Sequence, residues 1–409
     1  MSAATLALAL AVVAAIAYLS IFVATLVRTS QLEPNRRGMG QRADLELPPI
    51  SLLKPLKGLE EALEENLRSV YEQRYPANVE VIVATVDADD PALPLARAVA
   101  ADYPEVPTLF VLSDPGFGEN PKVSNLAGAL ASATFPIVLQ TDGNVRLPQG
   151  YVEQAVTEML VADADLLSSL IVGRGEQTVG AALENLQLTT CISPAMSAAY
   201  EIFGIPCVVG KSLLVRRSAL HAVGGLESLK DLLAEDYLLG ERMQAAGFRV
   251  VISANPVENV NRGTSVGGFL ARHSRWLKMR VVIHLGGFAV DLLANPVPLA
   301  LIAALLGGLS SPAFPFACVV VTGKVTADAY LMRRLRGETL PFRWLWVSTL
   351  RDLLMIGVWC YSLFSRTIVW RGERRRIGPG SRLTQVPTAT ISAPVHPSSP
   401  RAVVEARRR

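Results

Sequence analysis

The amino-acid sequence predicts an α/β domain with a doubly wound parallel sheet, attached to a membrane by apolar helices that precede and follow it. Between residues 48 and 280, short apolar segments typical of buried strands alternate with segments of helical periodicity. An uncharged run occupies residues 4–27, and further apolar zones follow residue 280. Hydrophobic residues make up 50% of the 409-residue chain, charged residues only 18%, and the mean hydropathy is +0.33. Part of the chain is therefore expected to be buried in lipid.

The composition disfavours several other classes of protein. The net charge of +3 is small and gives no support to nucleic-acid binding, which needs a concentrated basic face. The four cysteines, Cys191, Cys207, Cys318 and Cys360, have no CxxC or metal-ligand spacing, and the four histidines are equally dispersed. Neither a disulfide framework nor a zinc site is predicted, and a cytoplasmic, reducing location is expected for the part outside the membrane.

Residues 4–27 are long enough to cross a bilayer as one helix, which predicts a transmembrane anchor over residues 1–30. The residues before this run carry no lysine or arginine, unlike the basic start of a secretory signal peptide. The cations that follow it are Arg28, Arg36, Arg37 and Arg42. By the positive-inside rule, the N-terminus is expected outside and the chain from Arg28 onward in the cytoplasm.

The second apolar zone, residues 281–333, predicts a transmembrane helical hairpin, because cations flank its two ends and its central turn has none. Three charged residues inside it, Asp291, Lys324 and Asp328, are costly in lipid. We expect their side chains to face protein or the membrane interface.

A third apolar zone, residues 342–366, is interrupted by Arg351 and Asp352 and has basic residues on both sides. This pattern favours an interfacial or re-entrant helix over a complete crossing. Residues 378–409 are rich in Pro, Ser, Thr and Arg, and are expected to form a disordered tail.

Acidic residues follow two of the predicted strands. Asp87, Asp89 and Asp90 come after the run VEVIVATV, and Asp142 comes directly after IVLQT. In doubly wound sheets, ligands bind beyond the carboxyl ends of the strands, so these side chains are candidates for chemistry.

Each of these acidic groups has a structural and a functional interpretation. Asp90, before Pro91, suits a turn or a helix N-cap, and equally a contact to the N–H and hydroxyl groups of a nucleotide. Asp142, with Asn144 nearby, suits an Asx turn, or a carboxylate that holds Mg²⁺ or Mn²⁺ against a diphosphate.

Two further groups also have alternative interpretations. Glu235 and Asp236 stand at the start of a helical segment, where acids complement the helix dipole, but Asp236 could also deprotonate an attacking hydroxyl. In RHSRW, Arg272 and Arg275 share one helical face beside Trp276, and guanidinium groups suit the phosphates of a leaving nucleoside diphosphate. The simpler interpretation is a basic flank with an interfacial tryptophan.

Seven motifs, in their order and spacing, resemble the ceramide glucosyltransferases, a family of inverting membrane enzymes with a GT-A fold. The motifs are ISLLKPLKG, VDADDPA, NPKVSNL, QTDGNVR, PCVVGKSLLVRR, AEDY and RHSRWLKMR. Together they cover roughly residues 50–283, and the resemblance extends to the N-terminal anchor. It implies a cytoplasmic GT-A domain, with a doubly wound mixed sheet, over residues 48–280.

The family's three aspartates and its (Q/R)xxRW motif match Asp90, Asp142, Asp236, Arg272, Arg275 and Trp276. The resemblance implies that Asp90 contacts the nucleotide of the donor, Asp142 its diphosphate and the metal ion, and that Asp236 is the catalytic base. The two arginines and the tryptophan would close over diphosphate and acceptor.

The resemblance also implies roles for side chains around the donor pocket. Lys122 and Asn125 match the family's NPKxxNL element, and Cys207 matches a family cysteine near the same site. Asp87 competes with Asp90 for the nucleotide role. The sequence TDGN departs from the DxD of many relatives, so Mg²⁺ or Mn²⁺ is implied less strongly than the fold.

The expected reaction transfers glucose from UDP-glucose to the primary hydroxyl of ceramide, with inversion to a β-glycoside, at a bacterial inner membrane. UDP-N-acetylglucosamine or UDP-galactose as donor, with a hopanoid or another lipid as acceptor, are alternatives, since the Ala- and Arg-rich composition is typical of bacteria. A processive polysaccharide synthase is disfavoured, because so few membrane segments leave little room for a polymer channel. A non-catalytic lipid-binding scaffold is the alternative from another class.

Overall fold

The computed structural model describes residues 2–30, 45–370 and 373–385. Its helices are α1 (Ala3–Ser30), α2 (Leu63–Tyr71), α3 (Ala92–Ala101), α4 (Pro121–Ser132), α5 (Tyr151–Val161), α6 (Val179–Gln187), α7 (Ser193–Phe203), α8 (Arg217–Ala222), α9 (Glu235–Ala245), α10 (Val266–Ile283), α11 (Leu285–Leu293), α12 (Pro296–Gly307), α13 (Ala313–Arg336) and α14 (Val347–Phe364). Its strands are β1 (Ile50–Pro55), β2 (Val79–Thr85), β3 (Thr108–Leu112), β4 (Ile137–Thr141), β5 (Val145–Arg146), β6 (Leu166–Arg174), β7 (Ser212–Arg216), β8 (Val250–Val260), β9 (Thr367–Trp370), β10 (Glu373–Ile377) and β11 (Leu383–Gln385). A π-helical turn, Leu188–Ile192, joins α6 to α7.

The α/β domain is built on an eight-stranded sheet with the order β3-β2-β1-β4-β7-β6-β8-β5. The first four strands of that order are parallel, as the strand–helix alternation predicts. The expectation of a wholly parallel sheet is wrong in the other half, where β7 runs antiparallel to both β4 and β6. The mixed sheet implied by the resemblance is confirmed, and with it the GT-A-type α/β class.

Helices cover both faces of this sheet, which explains why its central strands are almost continuously apolar. All six residues of β1 are buried. On one face the core includes Leu67, Val99 and Tyr151, and on the other it includes Leu126 and Met243. The carboxyl ends of β1, β2 and β4 are therefore held rigidly at one edge, where the acidic motifs emerge.

The membrane part consists of α1 and the helices after α10. Within the described residues, three stretches are long and apolar enough to cross a membrane, namely Ala3–Ser30, Ala313–Arg336 and Phe342–Phe364. A fourth crossing would be formed by α11 and α12 together, which are bent by 57° at the break between them. The first leg of the predicted hairpin is thus a bent pair of helices, and its return leg is α13.

The end of α1 is attached to the α/β domain. The Arg28 guanidinium is 3.3 Å from the Glu201 carboxylate of α7 and 3.7 Å from Glu158 of α5. The Arg334 guanidinium, near the end of α13, donates a 2.8 Å hydrogen bond to the Thr29 carbonyl oxygen. The other arginines predicted to mark the cytoplasmic side, Arg36, Arg37 and Arg42, lie outside the described residues.

Charged residues in the apolar zones are buried against one another. The Arg351 guanidinium is 2.6 Å from Asp352 and 3.0 Å from Asp328, and the Lys324 ammonium is 2.6 Å from Asp328. The Ser348 hydroxyl donates a further 2.6 Å hydrogen bond to Asp328. The prediction that Lys324 and Asp328 face protein is confirmed, and Arg351 and Asp352 do not interrupt the helix α14 because they lie inside this network.

A second, three-stranded antiparallel sheet of β9, β10 and β11 follows α14. The prediction of a disordered tail is wrong for residues 378–385, which include a 3₁₀ turn and β11. The rest of the predicted tail, residues 386–409, lies outside the described residues. Ile377 and Leu383 pack with Leu233 of the α/β domain, and these apolar contacts order the segment despite its polar composition.

We expect Arg351→Met to destabilise the protein by about 3–5 kcal/mol, because removal of one partner leaves buried carboxylates without their cation. The measurement is thermal unfolding of detergent-solubilised protein. Arg343→Met, at an exposed position before α14, is the matched control and should leave the unfolding temperature within about 1 °C of the wild type. Equal unfolding temperatures for both variants would contradict the stabilising role of the network.

Candidate active site

Asp142 lies between two lysines at the carboxyl end of β4. The antiparallel register pairs Thr141, at the end of β4, with Ser212, at the start of β7, so Lys211 comes beside Asp142. The Lys211 ammonium is 3.0 Å from Asp142 Oδ2. The Lys122 ammonium, from the first turn of α4, is 3.1 Å from Asp142 Oδ1. Each carboxylate oxygen of Asp142 therefore has its own lysine.

Lys122 connects Asp142 to the acidic pair at the start of α9. Its ammonium is 3.1 Å from Glu235 Oε1 and donates a 3.1 Å hydrogen bond to the Gly210 carbonyl oxygen. The Gly210 N–H donates a 2.6 Å hydrogen bond to Asp236 Oδ2. The structure thus joins three residues predicted separately, Lys122, Asp142 and Asp236, in one network.

Asn120 positions both Lys122 and the segment before the acidic pair. It caps α4, because its side-chain oxygen accepts a 3.0 Å hydrogen bond from the Lys122 N–H. Its side-chain amide donates to the Leu232 carbonyl oxygen at 2.7 Å and to Glu235 Oε2 at 3.3 Å. The sequence indicated this residue only as the first letter of NPKVSNL.

The charges of this network set the protonation of its carboxyl groups. Burial by itself raises the pKa of Asp142, but the ammonium groups of Lys122 and Lys211 outweigh it and hold that pKa well below its usual range. Burial raises the pKa of Glu235 to about 7, against the opposing effect of Lys122. Burial lowers the pKa of Lys122, but the three carboxylates around it raise it above the ordinary value. The site therefore keeps Asp142 ionised while Glu235 titrates near neutrality.

Lys54 lies beneath the site, in an otherwise apolar strand. Its buried ammonium donates to the Asp142 carbonyl oxygen at 2.7 Å, and to Thr141 Oγ1 and the Val145 carbonyl oxygen at 3.2 Å. Burial lowers its pKa to about 8. Lys54 is not among the site residues predicted from the sequence, although a lysine within the run ISLLKP is a signal that its side chain must find polar partners inside the protein.

The structure shows Asp90 in its structural role. Both of its carboxylate oxygens accept hydrogen bonds of 2.9 Å from the Gly58 N–H, and Oδ1 accepts one of 2.8 Å from the Ala92 N–H. Asp87 is exposed and its carboxylate accepts from the Asp89 N–H at 3.0 Å. The nucleotide contacts implied for Asp87 and Asp90 remain predictions.

Asn125 contacts the loop after β1 that Asp90 also contacts. It is buried, and its side-chain amide donates a 2.9 Å hydrogen bond to the Leu56 carbonyl oxygen. Its side-chain oxygen is buried without a hydrogen-bond partner among the described residues. Asn125 and Asp90 together fix the turn after β1, and a direct contact of Asn125 with the donor remains a prediction.

The RHSRW motif forms the middle of α10. The Arg272 guanidinium is 2.9 Å from Glu184 Oε1 and donates a 3.2 Å hydrogen bond to Asn261 Oδ1. His273 is buried and its ring nitrogen is 3.2 Å from the other oxygen of Glu184. Arg275 faces Trp370 of β9, with 5.8 Å between its guanidinium carbon and the ring centre. This helix connects the α/β domain, the membrane helices and the C-terminal sheet.

Cys207 and Trp276 both pack against the part of the core that includes Leu126 and Met243. Trp276 contacts the His273 ring edge-on, with 5.4 Å between ring centres. Burial raises the pKa of the Cys207 thiol, an effect that the charge of Arg280 opposes and that of Asp236 reinforces. Cys207 is thus within electrostatic reach of Asp236, and its predicted role at the donor pocket remains a prediction.

The C-terminal sheet supports the loop that leads into Asp236. The Leu233 N–H donates to the Ser381 carbonyl oxygen at 3.0 Å, and the Ala234 N–H donates to the Ser381 hydroxyl at 3.2 Å. The Leu383 N–H donates to the Asp231 carbonyl oxygen at 2.8 Å. Residues that composition assigns to a tail are therefore part of the support of the candidate base.

At the predicted metal position, the side-chain oxygens of Asp142 and Asn144 both contact the ammonium group of Lys211. Lys211 lies 3.0 Å from Asp142 Oδ2 and 2.9 Å from Asn144 Oδ1. A carboxylate and an amide oxygen are ligands that suit Mg²⁺ or Mn²⁺ when substrate phosphates complete the set. Among the described residues no group of three or more His, Cys, Asp or Glu side chains is arranged to hold a metal, so the protein alone offers only part of a site.

Comparison of the sequence with known proteins identifies a family. A family model described as glycosyl transferase family 21 matches residues 8–383. The chain belongs to glycosyl transferase family 21. Ceramide glucosyltransferase 1 of Caenorhabditis elegans is 25% identical over 348 residues, 83% of this chain and 74% of that relative. Ceramide glucosyltransferase 3 of the same species is 26% identical over 350 residues, 84% and 75% of the two chains. The resemblance to ceramide glucosyltransferases is confirmed.

The chain also matches solved structures, among them the following two. A mannosyltransferase from Pyrobaculum calidifontis, in complex with GDP-Man and Mn²⁺, is 19% identical with a TM-score of 0.46, and the match covers 87% of this chain and 99% of that chain. The fragment 1–349 of S. aureus TarS in complex with UDP-GlcNAc is 13% identical with a TM-score of 0.37, over 83% and 99% of the chains.

We expect Gly210→Ala to reduce sugar transfer about 100-fold, a loss typical of misplaced catalytic groups. A Cβ atom at this position would lie 2.7 Å from the Lys122 ammonium and 2.9 Å from Asp236 Oδ2, so one or both must move. The measurement is the initial rate of nucleotide release by purified protein. Gly323→Ala, where a Cβ meets nothing within 4 Å, is the control. Wild-type activity in Gly210→Ala would contradict the assignment of this network.

The pKa of Glu235 predicts a pH-dependent stability difference. Because its pKa is about 7 in the folded protein against an ordinary 4.5, the folded state retains a proton between these values that the unfolded chain releases. This group's contribution to stability is full below about pH 4.5 and is lost as the pH rises through about 7. The unfolding temperature of Glu235→Gln, relative to the wild type, should therefore rise by a few degrees between about pH 5 and about pH 8. Glu241→Gln, at an exposed position on the same helix, should show the same pH dependence of the unfolding temperature as the wild type. The same pH dependence in Glu235→Gln would contradict the raised pKa of Glu235.

Proposed function

We propose that this family 21 glycosyltransferase transfers glucose from UDP-glucose to the primary hydroxyl of a ceramide-type lipid, with inversion to a β-glycoside. The observation that carries the proposal is the Asp142–Lys122–Gly210–Asp236 network, which connects a cationic site suited to phosphates with a carboxylate suited to deprotonate a hydroxyl. The names of the relatives support the donor and acceptor classes.

The donor side relies on Lys122 and Lys211. Their ammonium groups are held at the carboxyl end of β4 by Asp142, in the position where doubly wound sheets bind ligands. The negative charge that develops on a leaving UDP needs fixed positive charge nearby, and these lysines supply it without reorganisation. Mg²⁺ or Mn²⁺, bound by Asp142 and Asn144 together with the substrate phosphates, would add Lewis-acid stabilisation of the same charge.

The acceptor side relies on Asp236. The lipid hydroxyl oxygen forms a bond to the anomeric carbon while the bond from that carbon to the UDP oxygen breaks, and UDP leaves with the electron pair. Asp236 takes the hydroxyl proton. Gly210 and the C-terminal sheet hold the carboxylate and its loop in place for this transfer. Arg272 and Arg275, on α10 above the membrane helices, are proposed to close on the diphosphate when the donor binds.

We propose that the α/β domain is cytoplasmic and the N-terminus outside. Positive-inside logic supports this orientation, because the basic ends of α1 and α13 both contact the α/β domain, through Arg28 and Arg336. The segments before and after α14 also both contact that domain, through Arg336 and through Leu383. We therefore propose that α14 lies at the interface or re-enters, since a complete crossing would place its two flanks on opposite sides.

The test uses purified protein in lipid vesicles, with UDP-glucose and separately a short-chain ceramide or a hopanoid polyol. We expect one hexose to be added to ceramide, UDP to be released, and the rate to fall at least about 100-fold in Asp236→Asn. Asp163→Asn, the same change at an exposed carboxylate after α5, should retain activity. The lipid products are identified by mass spectrometry.

Other outcomes of this assay would change the conclusion. An N-acetylhexosamine on the hopanoid, with the other donor supplied, would retain the mechanism and replace both substrates. UDP release that is unaffected in Asp236→Asn would remove its role as the base. Full activity in EDTA would show that the lysines suffice without a divalent cation. No glycosylated lipid from any combination, with folded protein, would support the lipid-binding scaffold.

A further inference from the structure

A cavity of about 100 Å³ lies between the α/β domain and the membrane helices. It is bounded by α1, the end of α6, the π-helical turn, the start of α7, α10, α11 with the break that follows it, α13 and α14. Much of its wall is apolar, contributed by Ile21, Ile192, Trp276, Leu277, Met355 and Trp359. This composition suits the part of a lipid molecule where chains meet the polar head.

Four residues that line the same cavity each have a buried polar atom that lacks a hydrogen-bond partner among the described residues. These atoms are Tyr18 Oη, Gln187 Oε1, Asn295 Oδ1 and Asp352 Oδ2, and all four are buried. The side chains of Gln187 and Asp352 belong to residues only 7% and 2% exposed. Buried polar atoms without partners are rare in folded proteins, and four around one cavity indicate a ligand that completes them.

The kind of unpartnered atom defines the chemistry of that ligand. Three of the four are carboxylate or amide oxygens, which only accept hydrogen bonds, and the tyrosine hydroxyl can do either. The nearby cation does not supply the missing donor, because the Lys324 ammonium is 3.9 Å from Asp352 Oδ2 and donates instead to Asp328. The Asn295 amide nitrogen is engaged, because it donates a 2.9 Å hydrogen bond to the backbone carbonyl oxygen of Asp352. The other carboxylate oxygen of Asp352 accepts from Arg351 at 2.6 Å. The ligand must therefore bring N–H or O–H groups.

The cavity also borders the reaction centre. Trp276 and Arg280, on consecutive turns of α10, line it, and Arg280 acts electrostatically on the thiol of Cys207. Trp276 and Cys207 pack against the same part of the core, which includes Leu239 of α9, the helix that begins with Glu235 and Asp236. A lipid head in the cavity would therefore lie near the helix that carries the candidate base.

We propose that this cavity binds the polar head of the acceptor and that Gln187, Asn295 and Asp352 select a lipid alcohol with an amide N–H and a second hydroxyl. This inference rests on the proposed function and adds the groups that determine acceptor specificity. A diacylglycerol or a sterol, each with a single hydroxyl to be glycosylated, leaves these oxygens unpaired. Sites built to pair with such groups reject analogues that lack them, because the buried oxygens of the protein stay unsatisfied.

The experiment compares four acceptors with the full-length protein in vesicles: a short-chain ceramide, its N-methyl amide, its 3-deoxy analogue and a diacylglycerol. We expect the wild type to prefer ceramide over each analogue by about tenfold or more in kcat/KM. Gln187→Met, which keeps the side-chain length and removes the oxygen, should reduce at least one of these preferences several-fold. Gln177→Met makes the same change at an exposed position and should preserve the wild-type ratios.

The outcomes separate this inference from the proposed function. If the wild type glycosylates no ceramide, the proposed function fails. If it glycosylates ceramide and both analogues equally well, the function stands and the cavity inference is overturned. Unchanged ratios in Gln187→Met and in Asn295→Leu would show that these oxygens are satisfied by water alone. Direct binding of ceramide to Asp236→Asn, measured by native mass spectrometry, should weaken in the Gln187→Met background and not in the Gln177→Met background, which a purely structural role of Gln187 does not predict.

Discussion

The position of Lys122 is the constraint on which the rest of the site depends. Its ammonium group contacts Asp142 and Glu235 and the carbonyl oxygen of Gly210. Without a cation at this point, three carboxyl groups would repel one another in a largely buried space. With it, Asp142 stays ionised and the Gly210 N–H is directed at Asp236. The cap of α4, the antiparallel direction of β7 and the start of α9 position Lys122 and the groups that it contacts.

A similar arrangement recurs in the membrane part, where Arg351 and Lys324 are paired with Asp328 and Asp352. In both places, buried charges are stabilised by opposite charges at hydrogen-bond distance, as Asp142 is by Lys122 and Lys211. The two networks differ in one respect that matters for function. Asp352 keeps one oxygen without a hydrogen-bond partner among the described residues, and Asp352 is one of the residues that line the cavity beside α10.

Helix α10 connects these two regions. Arg272 and His273 secure it to Glu184 of α6, whose pKa is raised by burial but lowered to about 2 by the neighbouring His273 and Arg272. Trp276 and Arg280 reach the cavity, and Arg275 faces the C-terminal sheet. A cytosolic nucleotide and a membrane lipid must meet at one carboxylate, and a helix that contacts the sheet, the cavity and the supporting strands places them there.

The sequence by itself determined the α/β class, the apolar helices, and the acidic groups at the strand ends, because these depend on local periodicity and on the order of the strands. The family could be recognised from seven short motifs, because each is a run of consecutive residues and requires no knowledge of tertiary contacts. Only the tertiary structure decided that β7 is antiparallel, since strand direction depends on where the chain re-enters the sheet; this is what brings Lys211 to Asp142. It also decided that Lys54 and Glu235 belong to the site, that Asp90 and Asn125 fix a loop, and that residues 378–385 support Asp236. Each of these depends on partners far apart in the chain. The lysine within the apolar run ISLLKP signals a buried polar contact, but local composition does not identify the partners.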